Sequence, residues 1–180
     1  MLPGAILGVS DMTGPTMPPF AHLPGRGPRH ADGAFSELVA TARGDRAALE
    51  RSAAWRTGLA WCDAGYYWEA HELFEAVWAA LPQNAAERRM VQAMIQLANA
   101  GLKARMGQER AVARILDRVQ RHLADSRIGG DARLMGLSRA DVLDRIASLL
   151  DGGPAGGDTG GGQEREDRDE DSFRPAGPRT

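Results

Sequence analysis

The chain has a single cysteine, Cys62, among its 180 residues. That excludes an internal disulfide and a zinc site built from several thiolates. Aromatic residues are sparse at 6%, and no apolar run approaches the roughly 18 residues that a membrane-spanning helix requires. Charge of one sign is also missing: 22 basic and 24 acidic residues leave a formal −2, without the basic footprint of a dedicated nucleic-acid binder. The composition therefore points to a small molecule or another protein as partner, with no membrane and with nucleic acid disfavoured. Neither G-x-x-x-x-G-K nor G-x-S-x-G occurs, so nucleoside-triphosphate and serine-hydrolase chemistry have no support. No basic segment precedes an apolar one at the start, and the expected location is cytoplasmic.

With 43% apolar and 26% charged residues, the chain has the composition of one globular domain. Six of the ten prolines precede residue 29, and each fixes φ and removes a donor, so residues 1–34 read as an extended, proline-rich arm. Its apolar residues Leu2, Ile6, Leu7, Phe20 and Leu23 suggest docking on the domain surface. At the other end, seven glycines fall within residues 151–162, followed by the charge-dense run Glu164 to Asp171. Such a composition buries too little to offset its ordering entropy, and residues 151–180 are expected to be a disordered tail.

Between these ends apolar residues recur at spacings of three and four, which predicts an all-α domain over residues 35–150, a small antiparallel helical bundle. The predicted helices run from Asp45 to Asp63, stopped by Gly65; from Tyr66 or Tyr67 to Leu81, stopped by Pro82; and from Asn84, paired with Glu87 as a cap, to Met106 before Gly107. Two more run from Glu109 to Ala124 and from Ser138 to Leu150.

One helix face reads as neither core nor solvent. Tyr66, Ala70, Leu73, Phe74, Val77 and Leu81 form an ordinary buried stripe. The other side carries Trp68, His71, Glu72, Glu75 and Trp78, with His71 and Glu75 one turn apart and Trp78 three residues beyond Glu75. An imidazole beside a carboxylate can be held in one tautomer with its basicity raised, and flanking indoles lower the local dielectric. His71 and Glu75 are the candidate catalytic residues and the candidate metal ligands, with a divalent metal as candidate cofactor. Trp68, Glu69, Glu72 and Trp78 are the candidate ligand-binding residues on the same helix. The competing reading is a satisfied polar contact between helices. The next helix adds Arg89, Gln92, Gln96, Asn99 and Lys103 on one stripe, mostly polar without charge, as suits a half-buried surface that satisfies a carboxylate or a ligand. Gln92 and Gln96 are accordingly expected to face His71 and Glu75 across an antiparallel pair.

The run from Gly65 to Trp78 resembles the signature of the family catalogued as domain of unknown function 309, whose H-x-x-x-E-x-x-W pattern is matched by His71, Glu75 and Trp78. The run Val91 to Ala100 resembles the second helix of that family, and Pro24 to His30 resembles a segment of its proteobacterial members. The resemblance covers roughly residues 18 to 125 and implies a helical fold with no established activity. His71-Glu72-x-x-Glu75 is one residue short of the zinc-protease H-E-x-x-H motif. The remaining histidines, His22, His30 and His122, lie far off in sequence. Arg110, Arg114, Arg118 and Arg121 line a basic stripe without interleaved aromatics, the pattern of a solvated helix face. Two functions follow from different classes. One is a small-ligand or metal-assisted site, hydrolytic if catalytic, and the other is a non-catalytic interaction or homo-oligomerisation module that uses the Trp/His/Glu face.

Overall fold

The computed structural model describes residues 15–126 and 132–153. Among them are seven α-helices: α1 (Ser36–Val39), α2 (Arg46–Arg51), α3 (Ala53–Asp63), α4 (Tyr67–Ala80), α5 (Ala86–Arg105), α6 (Glu109–Asp125) and α7 (Arg139–Leu150). The described residues contain no strand, only an isolated bridge between Leu134 and Leu137. The all-α expectation is met. Residues 1–14 of the expected arm and 154–180 of the expected tail lie outside the described residues.

Most helix ends follow the local chemistry. At Gly65 (φ +85°) and Gly107 (φ +74°) the chain enters the left-handed region that glycine tolerates. Both close Schellman motifs, in which Tyr66 N donates to Trp61 O at 2.8 Å and Gln108 N donates to Lys103 O at 3.0 Å. Ser138 and Asp141 form a reciprocal capping box at α7.

Two expected boundaries change. The single helix over Asp45 to Asp63 is broken at Ser52, whose extended backbone (ψ 150°) ends α2 while its hydroxyl accepts from Trp55 N to start α3. Serine competes with the helical ladder in this way because its side chain offers the backbone an alternative partner. The Asn84–Glu87 cap does not form. The N-cap of α5 is Ala85, Glu87 accepts from Arg46 instead, and α5 starts without a side-chain cap. The short helix α1, just after the arm, had no counterpart in the periodicity.

The core is built on α3, α4 and α5, with α6 packed along α5 and α7 touching α5. Trp55, Leu73, Phe74, Met90 and Met94 are among its fully buried side chains. Close approach at the α4–α5 crossing depends on Gly101, where a Cβ would lie 2.6 Å from Tyr67 Cζ. Trp55 Nε1 donates to Met135 O and ties the turn before α7 to α3. The arm is docked: Ala21 and Leu23 are buried, and Trp61 Nε1 of α3 donates to Thr16 O at 3.1 Å.

Candidate functional site

The α4 helix presents its polar residues on the flank between α5 and the arm. His71 is buried, 6% exposed, and Glu72, Glu75, Trp68 and Trp78 are half-buried. Burial pushes the His71 imidazole down to about 4, so it is neutral at physiological pH. This reverses the expectation that Glu75 raises its basicity. His71 Nε2 stands 3.8 Å from Glu75 Oε1, beyond hydrogen-bond distance, and removal from water outweighs that carboxylate. Glu75 is pushed above the usual carboxylate range by burial and then by the charge of Glu72. Glu72 is raised by burial, relieved in part by Arg29 and raised again by Glu69.

Two contacts set the register of α4 on α5. The Tyr67 ring packs against Gly101, and Arg88 lies over Trp78 with its guanidinium carbon 3.7 Å from the ring centroid. An antiparallel pair in that register carries Gln96 at the level of His71 and Gln92 at the level of Glu75. Both amides are half-buried, and Gln96 Oε1 is a buried acceptor with no hydrogen-bond partner among the described residues. Arg88 also donates to Trp78 O (2.7 Å) and Leu81 O (2.6 Å), so it caps the C-terminus of α4 while it covers the indole. Trp78 thus has a packing role as well as a place at the edge of the polar flank.

The sequence did not show what happens to Trp68 and Glu69. Glu69 is 0% exposed, because the arm crosses it. Its Oε1 accepts from His22 backbone N at 2.6 Å and from His30 Nε2 at 2.7 Å. The His30 ring is stacked on Phe20 at 4.3 Å and lies 5.8 Å from the Trp68 ring, while His22 meets the same indole edge-on at 5.0 Å. His22 Nδ1 in turn donates to Pro28 O at 2.9 Å and folds the arm on itself. Arg29 lies over Trp68, 5.7 Å from the centroid. Sequence reading placed Glu69 with the ligand-binding residues, whereas here it clasps the arm. His22, His30 and Arg29 are the residues it did not assign to the site, although Pro24 to His30 resembles a family segment and two histidines stand among the prolines.

As a metal site, the His71 and Glu75 pair supplies two donors. Among the described residues no group of three or more His, Cys, Asp or Glu side chains is gathered to hold an ion. A cavity of about 160 Å³ lies on another side of the bundle, lined by Cys62, Asp63, Tyr67, Leu97, Arg145, Ser148 and Leu149, with none of the expected site residues on its wall. Cys62 there is held protonated, its thiol pushed up to about 12 by burial and by Asp63.

Residues 55–115 match the family model described as Domain of unknown function (DUF309). This stretch of the chain is a DUF309 domain. It runs from the first turn of α3 into α6 and contains His71, Glu75, Trp78, Gln92 and Gln96. The arm residues that clasp Glu69 lie outside the match. No curated protein and no solved structure matches the chain. Among the described residues, no helix of the DUF309 domain or its flanks is long and apolar enough to cross a membrane.

Proposed function

We propose that the polar flank of α4 and α5 is a small-molecule binding site that takes the cationic or hydrogen-bond-donating end of an organic ligand. The observation that carries this reading is the grouping of acceptors along one side of α4, with a buried amide oxygen at the level of His71 on α5. A neutral imidazole, two half-buried carboxylates raised by burial, and a buried amide oxygen are held by two helices in fixed register. Among the described residues no lysine or arginine is within ion-pair distance of Glu72 or Glu75. Half-buried carboxylates without an ion-pair partner are raised by desolvation, and a bound ammonium group relieves that penalty. In this reading His71 accepts through a ring nitrogen, Glu72 and Glu75 supply charge, Gln92 and Gln96 orient the ligand, and Trp68 and Trp78 edge the site. His71, being neutral, is also the group that would act as base if the site is hydrolytic.

An interaction module draws less support, because the indoles it would present to a partner already carry the arm and Arg88. The test is ligand-observed NMR with benzylammonium, benzyl alcohol and benzoate on the full chain. Separate calorimetric titrations with Zn²⁺ and Mn²⁺ cover the metal. Benzylammonium should bind in preference to the other two, and a Glu72→Gln/Glu75→Gln double variant that keeps its circular dichroism should lose it. Equal binding of all three, or binding unchanged in the double variant, would refute the reading. Metal binding that depends on His71 would replace the organic ligand with an ion.

A further inference from the structure

The arm brings a fixed positive charge to the edge of this acidic flank. Arg29 sits between Pro28, whose carbonyl accepts from His22, and His30, whose ring is bound to Glu69. Both neighbours are anchored, so the backbone that carries the guanidinium is preorganised. Trp68 lies beneath Arg29, and Glu72 is one helical turn from Trp68 on the same helix. The two charges therefore flank one indole. They are near enough for Arg29 to pull Glu72 back toward ionisation, yet among the described residues no carboxylate lies within ion-pair distance of Arg29. A guanidinium presents a planar fork of donors that matches a carboxylate in two hydrogen bonds. Beside it are the carboxylates of Glu72 and Glu75, with no lysine or arginine at ion-pair distance among the described residues. One molecule can satisfy both halves if it carries both charges.

Taking the cation-accepting reading of the α4 flank as given, we infer that the ligand is a small zwitterion of the amino-acid type, with its ammonium on Glu72 and Glu75 and its carboxylate on Arg29. The arm then sets specificity for the site on the DUF309 domain. The buried carboxylate of Glu69 has a purpose in this arrangement, since it fixes the residues on either side of the arginine.

The probes are L-phenylalanine and phenethylammonium, which share a ring and an ammonium and differ in the carboxylate. Dissociation constants are read by NMR titration on wild type, Arg29→Gln and Arg29→Lys, with the Trp68 indole resonance reporting that the arm stays docked. Phenylalanine should bind wild type roughly tenfold tighter than phenethylammonium, the worth of one charged bidentate contact. That advantage should vanish in Arg29→Gln and survive only partly in Arg29→Lys, which keeps the charge without the fork. If phenethylammonium binds as tightly as phenylalanine, or if Arg29→Gln keeps the advantage, the zwitterion is overturned while the cation site stands. If neither probe binds, both fall.

Discussion

Burial of His71 should make the stability of this protein depend on pH between neutrality and pH 4 in a way that one substitution removes. The imidazole falls from 6.5 in the unfolded chain to about 4 in the folded one, and the cause is desolvation. Below 6.5 the unfolded state binds a proton that the folded state refuses, so stability falls as pH falls, and the loss is complete once pH passes below the folded value. At about 1.4 kcal/mol per pH unit the shift amounts to about 3 kcal/mol, a large part of the stability of a small domain. Glu72 and Glu75 act in the opposite sense, because their raised values make the folded state hold protons longer than the unfolded state as pH rises. The measurement is therefore a difference. Urea unfolding of wild type and His71→Asn, followed by tryptophan fluorescence from pH 7.5 to pH 4, isolates the imidazole because both carboxylates are present in each protein. Wild type should lose about 3 kcal/mol more than the variant across that range. A difference that stays flat with pH would mean that His71 is charged or wetted in the folded state, and the neutral acceptor assigned to the site would go with it.

Three further outcomes follow from the packing. Gly101→Ala improves helix propensity yet places a methyl group against the Tyr67 ring, so it should destabilise by about 2 kcal/mol in chemical denaturation, where an exposed glycine would have given a gain. Glu69→Ala leaves the His22 amide and the His30 ring without their acceptor, and tryptic cleavage after Arg26 and Arg29 should accelerate at least tenfold, whereas Glu69→Gln, which keeps an acceptor oxygen, should change it far less. Cys62 should fail to react with a thiol-specific disulfide reagent at pH 8 until the protein is unfolded, since burial holds its thiol up at about 12.

The helical period was legible because each helix here buries a stripe of its own: Leu73, Phe74 and Val77 on α4, and Met90, Met94 and Ala98 on α5, are buried where spacing put them. Periodicity fails where one residue holds two options. Ser52 sits within a pattern that continues on both sides, and only the competition between its hydroxyl and the ladder breaks the helix. Asn84 and Glu87 had the right spacing for a cap, but Arg46 of α2 donates to the Glu87 carboxylate instead. The polar flank was legible to the extent that a helix can be read by itself. Trp68, Glu72, Glu75 and Trp78 are half-buried, as a face that is neither core nor solvent should be, while the sign of the His71 shift needed the burial that only neighbouring elements supply.

Glu69 shows why the contacts of the arm could not be read. Proline-rich backbone offers no ladder of its own, so its remaining amides must find acceptors elsewhere, and the partners found lie 47 residues on for His22 and 39 residues on for His30. No local spacing encodes such a pairing. From the α4 side, Trp68 and Glu69 look like residues open to a ligand, because a helix pattern carries no information about an irregular segment laid across it. A fully buried carboxylate is weak evidence for stability by itself, since well-packed apolar residues often serve as well. What it provides here is position: one oxygen holds an amide and an imidazole together, and Arg29 is the residue between the anchors. The DUF309 match ends well short of that arm, so the acidic flank belongs to the domain and the guanidinium beside it comes from the chain that precedes it.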